Sequence, residues 1–367
     1  MLKFIHAADF HLDAPFTAHS AEEARRRREE QRLLPGRLAD LCAAEGADLV
    51  LLAGDLLDGE RVYRETLESL AAALERMAVP VFIAPGNHDF YGARTPYAAI
   101  EWPKNVHIFT SDRVETVELP GLGCTVCGAA FTAPACDLSP LRGFSAPAAP
   151  GRPWLMVLHG DVDGKGRYGS ILPEDIAASG LTYLALGHIH ACSGLQRAGR
   201  TAWAYPGCPE GRGFDELGDK GVLVGTIDEL GNVDARFVPL AERRYQIYRV
   251  DLTGQADPAA ALEAALPKGG ERDLVRILLT GERDGSLDLE ALGAVAAPYF
   301  AEVTLRDMTR LSRALWERSG ENTLTGLFLR EMRGRIDAAE DDAARERLER
   351  AARYGLAALE GREEVGA

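Results

Sequence analysis

VFIAPGNHDFYG, residues 81–92, runs from the apolar stretch Val81–Ala84 through Pro85-Gly86 into an amide, an imidazole and a carboxylate in a row. A buried strand and its exit turn account for the first six residues, but neither requires Asn87, His88 and Asp89 side by side. The same arrangement recurs along the chain. LKFIHAA (2–8) ends in Asp9-x-His11, and DLVLLA (48–53) ends in Gly54-Asp55. WLMVL (154–158) ends in His159-Gly160, and YLALG (183–187) ends in His188-x-His190. Five apolar strands each deliver polar ligand-type side chains at the carboxyl end, where open α/β sheets place their sites.

The surrounding pattern supports that class. Strands at 2–8, 48–53 and 80–84 read as buried and parallel, with helical patterns between them. One helix opens at Ser20 with Glu23 three residues on, a capping box, and Pro35-Gly36 interrupts it. Another, 61–78, spaces Leu67, Leu70, Leu74 and Met77 three or four apart. Strands are then expected at 105–109, 114–119, 123–130, 154–158, 182–186, 201–205, 221–226 and 235–239, with a Pro/Ala/Gly-rich loop at 132–153. The expected result is an α/β sandwich of two packed sheets. After Arg244 a β-α-β-α-β pattern restarts as a second small domain. From 321 two amphipathic helices follow, striped by Leu324, Phe328, Met332, Ile336 and by Leu348, Ala352, Leu356, Leu359, with the acidic break Glu340-Asp341-Asp342 between them.

Composition narrows the classes. The chain has 367 residues, 46% hydrophobic and 26% charged, as in ordinary globular proteins. No apolar run approaches the roughly 20 residues of a membrane span. Asp9 and His11 interrupt the N-terminus too early for a secretory signal, and six scattered cysteines form no disulfide framework, so a reducing cytoplasmic setting is expected. Cys124 and Cys127 are expected to be buried thiols. The net charge of −15 is the wrong sign for gripping nucleic acid through overall surface charge. The run Arg25–Arg28, set among Glu22, Glu23, Glu29 and Glu30, reads as a solvated helix face.

Residues i and i+2 of an extended segment face the same side, so Asp9 with His11, and His188 with His190, are expected to aim at one place. Asp, His and Asn together suit divalent ions such as manganese, iron or zinc. Asp9, His11, Asp55, Asn87, His159, His188 and His190 are too many ligands for one ion and suit two, bridged by Asp55. Two ions about 3.5–4 Å apart are the arrangement that clamps an in-line phosphoryl displacement. His6 and His107 read as strand histidines. Cys208 and Cys192 read either as small residues packed behind the site or as soft ligands or oxidation sites.

D-x-H, G-D, G-N-H-D, H-G and G-H-x-H in series resemble the motifs of calcineurin-like metallophosphoesterases. FIHAADFHLDAPF, LVLLAGDLLDG, PVFIAPGNHD and YPGCPEGRGFDELGDKG look like SbcD-type DNA repair exonucleases, the nuclease subunit of SbcCD, and their YhaO-like bacterial branch. The resemblance implies a metallophosphoesterase sandwich of two β-sheets flanked by helices over 1–243. It also implies a small α+β capping domain over 244–312 and a C-terminal helical hairpin over 313–367. One ion would take Asp9, His11, Asp55 and His190, the other Asp55, Asn87, His159 and His188. His88 matches the family's catalytic histidine, and Asp89 either orients it or is a local turn carboxylate.

The function so implied is phosphodiester hydrolysis of DNA in end processing and double-strand break repair. A metal-bridged hydroxide would attack phosphorus while His88 assists the leaving group, with two divalent ions, manganese foremost. Implied partners are DNA, the coiled coil of an SMC-like ATPase on the C-terminal helices, and a second copy meeting through 61–78 and Thr95–Trp102. The helices could instead pack on their own domain. A small-molecule phosphoesterase, acting on cyclic nucleotides or nucleotide diphosphates, is the alternative enzyme; a scaffold with a vestigial site is the non-enzymatic one.

Overall fold

The computed structural model describes residues 1–17, 20–59, 61–147, 151–162 and 166–359. Positions 148–150 of the Pro/Ala/Gly-rich loop and the end of the C-terminal segment, 360–367, lie outside them. The chain divides into two compact units, Met1–Glu242 and Arg243–Ala367.

In the first unit, one six-stranded sheet holds β1 (Leu2–Ala7), β2 (Leu49–Leu52), β3 (Val81–Ile83) and β4 (Val106–Ile108) as parallel neighbours. On the far side of β1 it is extended antiparallel by β11 (Gly221–Ile227) and β12 (Val233–Pro239). The second six-stranded sheet is ordered β5 (Glu115–Leu119), β6 (Cys124–Gly128), β7 (Trp154–His159), β8 (Tyr183–Gly187), β10 (Thr201–Ala204), β9 (Gln196–Ala198). The exposed three-residue β9 and the short helix α4 (Pro173–Ala178) carry too little apolar pattern to be read from sequence.

The run LVLL of β2 is apolar throughout because both its faces are covered. Val50 and Leu52 point to Leu34, Leu38, Leu67, Leu70 and Leu74 of helices α2 (Leu34–Glu45) and α3 (Arg64–Arg76). Leu49 and Leu51 point inward to Phe4, Phe82, Phe109, Val126, Leu155 and Tyr183, the core between the sheets. Met156, Leu158, Leu184 and Leu186 on the outer face of the second sheet meet Ile171 and Ile176. α1 (Ala21–Gln31) starts with the Ser20–Glu23 capping box, and Pro35 falls in the first turn of α2 rather than inside one long helix.

The sheets come into close contact at their carboxyl ends. A Cβ on Gly187, the last residue of β8, would overlap the Ala53 carbonyl oxygen after β2 and press on Ala8 after β1. Across the same seam His6, buried in β1, bonds Tyr183 Oη at 2.9 Å and the Leu186 carbonyl at 3.1 Å, and burial lowers its pKa to about 3.

The second unit has a parallel sheet of β13 (Tyr245–Asp251), β14 (Leu274–Thr280) and β15 (Glu302–Asp307), with α5 (Pro258–Ala265) and α6 (Leu289–Ala296) against one face. α7 (Arg313–Glu317), α8 (Leu324–Asp337) and α9 (Asp342–Leu359) follow. Most of the two stripes faces inward: Phe328, Met332 and Ile336 pack with Leu348, Ala352 and Leu356 and with Leu311 and Leu315. Leu324 and Leu327 stay exposed. Among the described residues no helix is long and apolar enough to cross a membrane.

Gly187→Ala forces the sheets apart at this seam. It is expected to lower stability by about 3 kcal/mol, read as a fall in the urea midpoint; an unchanged midpoint would show that the seam can yield.

Candidate metal centre

The strand ends bring most of the expected ligands into contact. Ligand atoms of Asp9, His11 and His190 lie within 4.8 Å of one another, as do those of Asp9, Asp55 and His159. His11 Nε2 is 3.2 Å from His190 Nε2, and His159 Nε2 is 3.0 Å from Asn87 Oδ1. Asp55 Oδ2 stands between the two pairs, 3.3 Å from His159 Nε2 and 3.8 Å from His11 Nε2. The His188 ring centroid is 5.3 Å from that of His159, adjacent to the second pair but outside the tight groups.

The backbone reaches this arrangement differently from the expected extended i, i+2 geometry. β1 ends at Ala7, and Asp9, His11, Asp55 and His188 all have positive φ, four of the seven such non-glycine residues among those described. Left-handed conformations are costly for such side chains and gather where surrounding structure holds them. Asp9 N–H donates to Gly54 O at 3.0 Å and His11 N–H to Asp55 O at 2.9 Å; His188 N–H donates to the Asp9 carboxylate at 3.0 and 3.1 Å.

Three of the rings are fixed through Nδ1. His159 Nδ1–H donates to the Ala53 carbonyl at 2.9 Å, His11 Nδ1–H to Asp58 at 3.0 Å, and His190 Nδ1–H to Glu216 at 2.6 Å. Holding the proton on Nδ1 leaves a lone pair on each Nε2. Nε2 atoms and carboxylate and amide oxygens then face one another, and the backbone N–H groups of His188 and His88 reach the Asp9 and Asp55 carboxylates from the side. The three shortest of these spacings, 3.0, 3.2 and 3.3 Å, match the roughly 3.0–3.4 Å separating two atoms that each lie about 2.0–2.2 Å from one ion. Side-chain acceptors converging at such separations fit divalent cations.

The charge balance gives the same answer. Burial lifts the Asp9 carboxyl to about 7, helped by the Asp55 charge and opposed by His159 and His190. Burial also pushes Asp55 upward, but His159 and then His11 and His88 hold it well below the usual carboxylate range. Burial works to lower His159, yet Asp55 and Asp9 outweigh it and raise the imidazole to about 9. A proton on His159 is what these oxygens draw in when nothing else positive sits among them. His11 and His188 are each lowered to about 4, chiefly by burial, and stay neutral.

His88 is half exposed, and its Nδ1 lies 3.0 Å from Asp58 Oδ1, the same oxygen that fixes His11. The hydrogen bond to Asp58 raises its pKa. Of the two readings of Asp89, the hydrogen bonds agree with the local turn carboxylate, and Asp58 is the carboxylate beside His88. The buried Asp89 carboxylate instead accepts from the backbone N–H groups of Asp55, Leu56 and Gly86 and from Tyr97 Oη, pinning the Gly54-Asp55 turn to the Gly86-Asn87 turn. Asp58 and Glu216, which position histidines of the candidate centre, are absent from the residues expected from sequence. The second carboxylate in GDLLDG, three residues after Asp55, was a usable signal; Glu216, in GFDEL, had none beyond its type.

Cys208 is buried behind His190, its Sγ 3.6 Å from the His190 carbonyl oxygen, and burial lifts the thiol to about 12, so it stays neutral. Cys192 is exposed. His107 lies in β4.

Two sheets with histidine, aspartate and asparagine converging from five strand ends define a metal-dependent phosphoester hydrolase. The chain belongs to the calcineurin-like phosphoesterase family, which matches residues 2–192. It is similar to the uncharacterised metallophosphoesterase YhaO of Bacillus subtilis (strain 168), 31% identical over 299 residues, 76% of this chain and 72% of that one. It is also similar to the D subunit of the nuclease SbcCD of Rhodobacter capsulatus, 25% identical over 325 residues, 73% of this chain and 76% of that one. A crystal structure of TT1561 of Thermus thermophilus matches at 12% identity, covering 64% of this chain and 98% of that chain with a TM-score of 0.39.

Asp58→Asn leaves the core intact while loosening His88 and His11 together. Activity or metal affinity is expected to fall about 10–100-fold, measured as bis-p-nitrophenyl phosphate turnover across a manganese titration.

Proposed function

We propose that the chain is a dinuclear-metal phosphodiesterase that cleaves DNA. The observation that carries the chemistry is Asp55 Oδ2 standing between two acceptor pairs, the position of a bridging carboxylate. One ion would be held by Asp9, His11, Asp55 and His190, the other by Asp55, Asn87, His159 and His188. Manganese suits this oxygen-and-imidazole set, and iron or zinc would also fit it. Such ions, when bound, supply Lewis-acid stabilisation of phosphoryl oxygens and lower the pKa of water.

The chain's own residues supply the rest. Asp58 takes His88 Nδ1, so Nε2 is the ring atom free to give a proton to the departing sugar oxygen. The raised pKa keeps His88 charged at higher pH than a free imidazole, as a proton donor requires. Glu216 and the Ala53 carbonyl hold His190 and His159 in the tautomer that presents Nε2.

DNA as substrate is supported by the motif run and by the relative named as a nuclease subunit. The same reading has an SMC-like ATPase docking on the C-terminal helices, where Leu324 and Leu327 remain exposed, and a homodimer formed through α3 and Thr95–Trp102 in the cytoplasm.

With manganese, the purified chain is expected to degrade end-labelled duplex DNA and to turn over bis-p-nitrophenyl phosphate, and His88→Ala to lose both by about 10²–10⁴-fold. Turnover of the small ester, with DNA intact even in the presence of the ATPase partner, would redirect the reading to a small-molecule phosphoesterase.

A further inference from the structure

A chain of net charge −15 needs local arginine or lysine to hold a phosphate backbone. The dense run Arg25–Arg28 does not provide it, since Arg27 is buried against Glu30 and Arg25 pairs with Glu29 at 3.2 Å.

The three-stranded sheet of the second unit does. Its register places Ile247, Arg276 and Thr304 in one row and Arg249, Leu278 and Arg306 in the next, all on one face. The opposite face, with Tyr248, Ile277, Leu305, Val250 and Leu279, is the one that α5 and α6 cover through Leu262, Leu266, Leu292 and Ala296. Arg249 and Arg306 stand in the same row two strands apart, about 10 Å. Arg276 lies beside them, its pKa lowered by burial and then by the like charge of Arg306. The face runs on into a groove of about 850 Å³ lined by Arg249, Arg310, Arg313, Arg333 and Trp316.

The acids here have partners of their own: Glu282 and Glu317 line the groove and engage Arg313, and Glu302, on the same sheet face as Thr304 and Arg306, is also partnered. Glu282 accepts from the Arg313 backbone N–H at 3.0 Å, Glu317 lies 3.7 Å from Arg313 Nε, and Asp251 accepts from Thr253 at 2.8 and 2.6 Å. Arg249, Arg306, Arg310 and Arg333 are exposed, with no carboxylate partner among the described residues. Like charges gathered on a sheet face cost stability.

We infer that this arginine face and groove form a binding surface for the phosphate backbone of a nucleic acid. The inference rests on the proposed DNA reading and deepens it, assigning substrate affinity to a surface outside the metal centre. Arginine forks match phosphate bidentately. Cations spaced along a sheet and a groove suit a repeating polyanion, and half-buried Trp316 in that groove offers a ring for base stacking. An acidic peptide would satisfy the charge but not use the ring.

The test compares the full chain with an Arg249→Gln/Arg306→Gln/Arg310→Gln variant. Fluorescein-labelled single-stranded and duplex oligonucleotides are titrated by anisotropy over a salt series, beside bis-p-nitrophenyl phosphate turnover. The variant is expected to bind at least about tenfold more weakly near 0.1 M salt, with the slope of log K against log salt shallower by about 2–3. Small-ester turnover should stay within about twofold, because none of the three belongs to the metal centre. Polyglutamate should fail to displace the oligonucleotide. Unchanged affinity and slope, or displacement by polyglutamate at matched charge, would overturn the inference. Should the triple variant misfold, Arg306→Gln alone is expected to lower the slope by about 1. DNA cleavage with binding unaffected by the substitutions sinks this surface and leaves the proposed function standing; arginine-dependent binding without cleavage does the reverse.

Discussion

The centre of the molecule depends on how closely two sheets approach at the ends of β2 and β8. Gly187 lies against the Ala53 carbonyl, which also accepts the His159 Nδ1–H, and the next residue along, His188, gives its N–H to Asp9. One seam therefore carries a steric contact and, beside the two hydrogen bonds of His6, two more that join strand ends from different sheets. Ligands from the first sheet, Asp9, His11 and Asp55, can face His159 and His190 from the second only while that seam stays closed. The apolar layer of Phe4, Leu49, Leu51, Leu155 and Tyr183 behind it keeps the seam closed.

Around that seam three of the imidazoles share one arrangement: His159, His11 and His190 are held by Nδ1, and their Nε2 atoms turn inward. The holders are a backbone carbonyl for His159, Asp58 for His11 and Glu216 for His190. Asp58 also holds His88, so one carboxylate sets both a candidate metal ligand and the candidate proton donor. Asp89 stays out of this chemistry. It closes the two turns that carry Asp55 and Asn87, with Tyr97 completing its hydrogen bonds. Burial makes the inward-facing set costly, and a shared positive charge offsets that cost.

Much of this was legible in the sequence because each motif is local: an apolar run says strand, and the residues just past it say site. Two things were not. The first is backbone geometry, since the period-2 rule assumed extended segments at Asp9-x-His11 while the chain takes left-handed turns there. The second is any role set by a distant partner. Asp58 meets His11 across 47 residues and Glu216 meets His190 across 26; Asp58 is marked only by standing three residues after Asp55, and Glu216 by nothing beyond its type. Asp89 shows the same limit from the other side, for its partners include backbone N–H groups more than 30 residues away. The C-terminal stripes were readable as helices, but not the direction in which Phe328 and Met332 would face.

The proposed function depends on a cluster of side-chain acceptors around Asp55 holding two divalent ions. The most direct measurement is anomalous diffraction at the manganese edge from crystals of the chain grown with manganese. The account predicts two peaks about 3.5–4 Å apart with the Asp55 carboxylate between them. A single peak, or two peaks with Asp55 bound to neither or to only one, would contradict it.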